Sequence, residues 1–108
     1  MAEMRAGLSS TELSLRAGEV AGLLRTLSHP ARLMIVCSLV DSDYSVGELE
    51  EKLDVHQPHL SQHLKVLRGS GIVETRREGK QIFYSLTEDK AAQLVNALHG
   101  IFCVETET

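Results

Sequence analysis

Three groups of side chains in this chain have types and spacings that could do chemistry. The first is a pair of thiols, Cys37 and Cys103, the two cysteines of the sequence. They are too few for a disulfide framework and too far apart for a Cys-x-x-Cys motif, so a bond between them would be regulatory rather than structural. By pattern alone, Cys37 inside the apolar run Leu33–Val40 reads as an inert core thiol. The second group lies on a helix whose buried stripe is Leu60, Leu64 and Leu67, which leaves Gln57, His59, Ser61, Gln62 and Lys65 on the opposite face. Amide, hydroxyl and short cationic side chains in that arrangement suit hydrogen bonding to base edges in a DNA groove. The third group, Arg76, Arg77, Lys80 and Gln81, sits at the tip of a predicted β-hairpin, where cations meet phosphate. A polar helix face alone is equally a solvated surface; the basic hairpin that follows it is what points to nucleic acid. Catalysis finds no comparable support. His29 and His99 are present, but no nucleophile, base and orienting group stand at recognisable spacings, and the chain is expected not to be an enzyme.

The elements that must carry these groups follow from periodicity and punctuation. Leu13, Ala17, Val20, Leu24 and Leu27 recur at helical steps and predict an amphipathic helix over residues 11–27. Ser28-His29-Pro30 breaks it, because a residue before proline avoids helical angles while Pro30 is tolerated in a first turn. A second helix, apolar around most of its circumference, runs to about Val40 and carries Cys37. Asp41 to Tyr44 form a turn, and Ser45 to Glu48 has capping-box spacing, which opens a short helix to Leu53. Another helix starts near Gln57-Pro58 and is closed by Gly69 or Gly71. From Ile72 to Leu86 the period changes to two, with Val73, Thr75 and Arg77 on one face, then Ile82, Tyr84 and Leu86, and Glu78-Gly79 between them as a hairpin turn. Thr87 then caps a last helix through about Phe102, with Cys103 at its end. The expected fold is mainly α with a β-hairpin wing, a winged helix-turn-helix. Residues 1–10 are expected to be a flexible terminus and residues 11–108 one domain for DNA binding and dimerisation.

Composition agrees with that outline. At 108 residues, with 43% hydrophobic and 24% charged, the chain suits one modest globular core. Aromatics at 4% speak against an aromatic-lined cofactor cavity, and no cofactor is expected. The net charge of −4 argues against indiscriminate coating of nucleic acid. Yet Val55–Lys80 carries five cations against two carboxylates, or +3, which leaves −7 on the remaining residues. No signal peptide or run of eighteen apolar residues is found, so a cytoplasmic protein without a membrane partner is expected. The first and last helices carry more apolar stripe than the central motif can cover. A homodimer is expected, with two recognition helices about one DNA turn apart on a roughly palindromic double-stranded operator.

Ser28-His29-Pro30-Ala31-Arg32-Leu33, Gly47-Glu48-Leu49, Leu60 to Leu67, Gly71-Ile72-Val73 and Phe83-Tyr84-Ser85-Leu86 resemble the ArsR/SmtB family of bacterial repressors over roughly residues 15–104. The resemblance implies a homodimeric winged-helix repressor that leaves its promoter when an inducer lowers its affinity. The family's metal ligands do not carry over. Ser45, Val46 and Gly47 stand where thiol-rich sensors have Cys-Val-Cys, Asp89 is followed two residues later by Ala91, and His99 three residues later by Phe102. No metal is therefore expected, and a metal-responsive repressor is the alternative. One cysteine on the second helix and one on the last, with Phe102 before the latter, is similar to the persulfide-responsive dithiol subgroup typified by BigR and SqrR. By that resemblance Cys37 and Cys103 sense redox state: the reduced form binds the operator, and reactive sulfur species release it by joining the two cysteines through a di- or polysulfide.

Overall fold

The computed structural model describes residues 7–55, 58–87 and 90–103, the side chains of Lys90 and Cys103 excepted. Helix α1 (Ser10–Leu27) begins one residue before the expected start. Its N-cap is Ser9, whose hydroxyl accepts from the Glu12 N–H at 3.1 Å while Glu12 accepts from the Ser9 N–H at 3.0 Å. The cap residue Ser9 lies in the segment expected to be loose, and Ser9-x-x-Glu12 is the sequence signal of the box. Helix α2 (Pro30–Asp41) starts on N-cap His29, whose Nδ1 accepts from the Ala31 N–H at 3.2 Å. The break between α1 and α2 bends the chain by 98°.

A two-residue strand, β1 (Tyr44–Ser45), stands where only a turn was expected. Two residues are too short to show alternation, so it is visible only through its antiparallel partner: Tyr44 pairs with Tyr84 and Ser45 with Phe83. Ser45 is also the expected cap of α3 (Val46–Leu53), in a complete capping box with Glu48. Asp54, at φ 57°, ends α3 in the left-handed region that aspartate tolerates. Helix α4 (His59–Gly69) closes on Gly71, at φ 82°. There the Ile72 N–H reaches the Leu67 carbonyl and the Gly71 N–H the Arg68 carbonyl, both at 3.1 Å, the Schellman arrangement.

Strands β2 (Val73–Glu78) and β3 (Gln81–Leu86) pair antiparallel from Val73 with Leu86 to Glu78 with Gln81. The hairpin turn is therefore Gly79-Lys80, one residue later than expected, and Gly79 takes φ 66° at its first position. The sheet order is β1-β3-β2. Helix α5 (Lys90–Leu98) continues as a π-helical turn over His99–Cys103, so the last helix is not one uninterrupted α-helix. Thr87, the expected cap, donates its hydroxyl to the carbonyls of Gly71 and Ile72 at 2.9 and 3.3 Å, while residues 88–89, which follow it, lie outside the described residues. This stitches the end of the wing to the end of α4.

The core gathers around Ile35, Leu49, Leu60, Leu64, Leu67 and Val95, all essentially inaccessible to water. Burial of each such side chain contributes about 1.5–3 kcal/mol. Helix α2 is its hub, packing against α1, α3, α4, α5, β3 and the π-helical turn. Helix α1 behaves differently. Of its apolar stripe only Leu27 is buried, while Leu13, Val20 and Leu24 are 57%, 48% and 49% exposed. The radius of gyration, 16.2 Å, exceeds the roughly 13 Å of a closely packed chain of this length, in keeping with a helix standing off the body.

Candidate functional site

The reading face is built by the leucine stripe of α4. Because Leu60, Leu64 and Leu67 are drawn into the core, His59, Ser61, Gln62 and Lys65 are turned outward and exposed. Gln57 lies outside the described residues. Helix α3 precedes α4 in the chain, and the β2–β3 wing follows, the order of a winged helix-turn-helix.

On the wing, Arg76, Arg77, Lys80 and Gln81 are all exposed, and they divide into different settings. Lys80 occupies the turn, with Arg77 two pairs back along the ladder opposite Ile82. Gln81 lines a shallow depression with Ser45, Val46, Gly47 and Ile82 where β3 meets the start of α3. Arg76 is held. Its Nε donates to Glu78 at 2.8 Å, its second nitrogen to Asp43, and its guanidinium lies 5.1 Å from the Phe83 ring centroid. The hydrogen bond to Glu78, then that to Asp43, pushes its pKa above the ordinary arginine value. Asp43 carries no signal of this role in the sequence, because its partner is 33 residues away and no local spacing announces the pair.

The thiol region lies where α2 meets α5 and the π-helical turn. Cys37 is half-buried and lines a cavity of about 270 Å³ with Leu33 of α2, Leu98 of α5 and Phe102 of the π-helical turn. The residue after Phe102 in the chain is Cys103, whose side chain lies outside the described residues. The same turn is tied to α2 at a second point, where His99 Nε2 stands 3.4 Å from Asp41. Among the described residues, no three His, Cys, Asp or Glu side chains gather as a metal would require. Asp89 of the zinc comparison lies outside them. Among the described residues no single helix is long and apolar enough to cross a membrane.

Comparison with known proteins agrees with the architecture. Residues 29–75 match the bacterial regulatory protein, arsR family. The chain is 61% identical over 103 residues to the biofilm growth-associated repressor of Xylella fastidiosa strain 9a5c, covering 95% of this chain and 90% of that one. It is 65% identical over 92 residues to the protein of the same name from Agrobacterium fabrum, covering 85% and 79%. The crystal structure of the transcriptional repressor BigR from Xylella fastidiosa superposes with a TM-score of 0.87 at 62% identity, over 93% of this chain and 99% of that one. With its helix-turn-helix, its wing and its sequence identity over almost the whole length, this chain belongs to the arsR family of bacterial regulatory proteins.

Proposed function

We propose that this chain is a cytoplasmic, homodimeric transcriptional repressor that grips a roughly palindromic double-stranded operator when its thiols are reduced. It lets go when reactive sulfur species join Cys37 to Cys103. Gln57, His59, Ser61, Gln62 and Lys65 read base edges in the major groove, and Arg77, Lys80 and Gln81 meet phosphate from the wing. Arg76 adds charge there while bracing the wing against Asp43. The exposed stripe Leu13, Val20 and Leu24 of α1 covers the same stripe of a second copy, which sets two copies of α4 about one DNA turn apart.

The observation that carries the thiol reading is the cavity into which Cys37 opens, walled on one side by Phe102, the neighbour of Cys103 in the chain. In the chemistry that fits, one thiolate attacks the outer sulfur of a persulfide RSSH and expels RS⁻, leaving a cysteine persulfide. Attack by the second thiolate on the inner sulfur forms a disulfide and releases hydrogen sulfide. If both cysteines first become persulfides, their condensation gives a trisulfide and hydrogen sulfide. The cavity gives inserted sulfur atoms room that a strain-free disulfide geometry would not need. Because α2 packs against both α4 and the π-helical turn, a tether across the cavity changes how α4 is held. A coupling of about 1–3 kcal/mol lowers operator affinity about 5–150-fold.

The test is intact mass spectrometry beside a DNA-shift assay on wild type, Cys37→Ser and Cys103→Ser, each treated with a persulfide donor, peroxide or zinc. Sulfur addition with loss of binding in wild type alone supports the proposal. Release by zinc without covalent mass change supports the metal-responsive alternative instead.

A further inference from the structure

Three groups meet where the bend between α1 and α2 touches α4. Arg32 of α2 donates from Nε to Nδ1 of His63 at 3.2 Å and from a terminal nitrogen to the Thr26 carbonyl of α1 at 3.1 Å. The His29 ring lies 4.4 Å from that of His63, tilted by 60°. One guanidinium therefore ties three helices, and its bond to Thr26 keeps it from swinging aside when His63 changes. We propose that Arg32 is a positioning residue for the recognition helix: it holds α4 through the neutral imidazole of His63, and operator affinity falls in mild acid when that imidazole takes a proton. The proposal rests on the operator-binding reading of α4 and is independent of the thiol switch.

The chemistry is one of donors and acceptors. Only neutral imidazole offers Nδ1 as an acceptor; protonated, both ring nitrogens donate, and the bond to Arg32 becomes a contact between two cations. His29 uses its own Nδ1 to accept from the Ala31 N–H, which fixes its ring beside that of His63. The groups acting on His63 are Arg32 from α2, His29 from the cap of α2 and His59 from its own helix; α3 and β2, which also pack on α4, add none among the described residues. All three oppose a second positive charge, and burial, the largest cause, acts in the same direction, so its pKa lies below the ordinary 6.5. A histidine whose pKa is depressed in the held arrangement contributes fully above 6.5 and progressively less as the pH falls below that value. His63 follows Gln62 directly and lies one turn beyond His59, so a change in how it is held reaches the reading face first.

The test uses a duplex selected by the full-length wild type from a randomised pool at pH 7.5. His63→Gln keeps an acceptor for Arg32 and removes the titration, while His63→Leu removes both. We expect His63→Gln to bind within about twofold of wild type at pH 7.5, with Arg32→Ala and His63→Leu weaker by about fivefold. Between pH 7.5 and 5.5 wild type should lose about fivefold relative to His63→Gln. Histidine ring NMR of the DNA-free wild type should find His63 as the Nε2–H tautomer, titrating below 6.5 and moving upward in Arg32→Ala. Parallel pH profiles for wild type and His63→Gln, or a His63 that titrates at 6.5 or above, overturn the proposal. Failure to enrich any duplex overturns instead the operator-binding reading on which it stands.

Discussion

The two ends of this molecule treat apolar side chains in opposite ways. In the α3–α4–wing region leucines point inward and polar groups outward: Leu49, Leu60, Leu64 and Leu67 are buried while Ser61, Gln62, Lys65, Arg77 and Lys80 are exposed. In α1 and the π-helical turn most of the large apolar side chains face water, Leu27 being buried while Leu15 is 67% and Phe102 79% exposed. The first region is complete within one chain. The second leaves adjoining apolar side chains facing water, the kind of surface that the proposed second copy would cover. The DNA-binding motif and the exposed apolar surface are thus separated along the sequence and joined through α2, which touches both regions and carries Cys37.

That contrast is open to direct attack. Leu64→Ala should lower unfolding free energy by about 2–5 kcal/mol, because it opens a hole in a filled core. Leu13→Ala should leave the stability of a single chain nearly unchanged and lower Tm only through lost association, so that its effect depends on protein concentration. Denaturation measured at several concentrations separates the two, and a concentration-independent loss for Leu13→Ala would erase the distinction. Within the reading region, Gln62→Ala should relax base preference by about 1–3 kcal/mol at the contacted position. Arg77→Ala should weaken all duplexes alike and lower the slope of log affinity against log salt by about one. Matched salt titrations on specific and random DNA would reveal whether helix and wing divide the work in this way. The smallest expected effect is that of Asp43→Asn, which frees one side of Arg76: operator affinity should fall by less than about threefold, and the difference should vanish at high salt. Binding isotherms at two salt concentrations suffice to check it.

Much of this was legible beforehand, for identifiable reasons. The Ser45 and Glu48 box, the Pro30 start and the leucine stripe of α4 are local signals, written within one or two turns, and the structure reproduces them. The Schellman closure resolved a choice between Gly69 and Gly71 that composition left open, since only the backbone shows which one takes positive φ. The hairpin was legible but its turn was displaced by one residue, because alternation fixes faces while the ladder fixes which residues lie outside it. Strand β1, the Asp43–Arg76 pair and the Arg32–His63 bond were not legible. Each joins residues about thirty or more positions apart, and no periodicity reports a contact of that kind.

The order of residues by itself determined the helix-turn-helix and wing, the polar face of α4 and the basic charge beside it, because caps, turns and amphipathic periods act over a few residues and need no distant partner. Tertiary structure alone decided that Arg76 is braced by Asp43, that His63 is held by an arginine from another helix, and that Cys37 opens beside the segment ending in Cys103. The reason is physical: hydrogen bonds and cavities depend on distances of a few ångströms between elements, and those distances are set only when the core closes around α2.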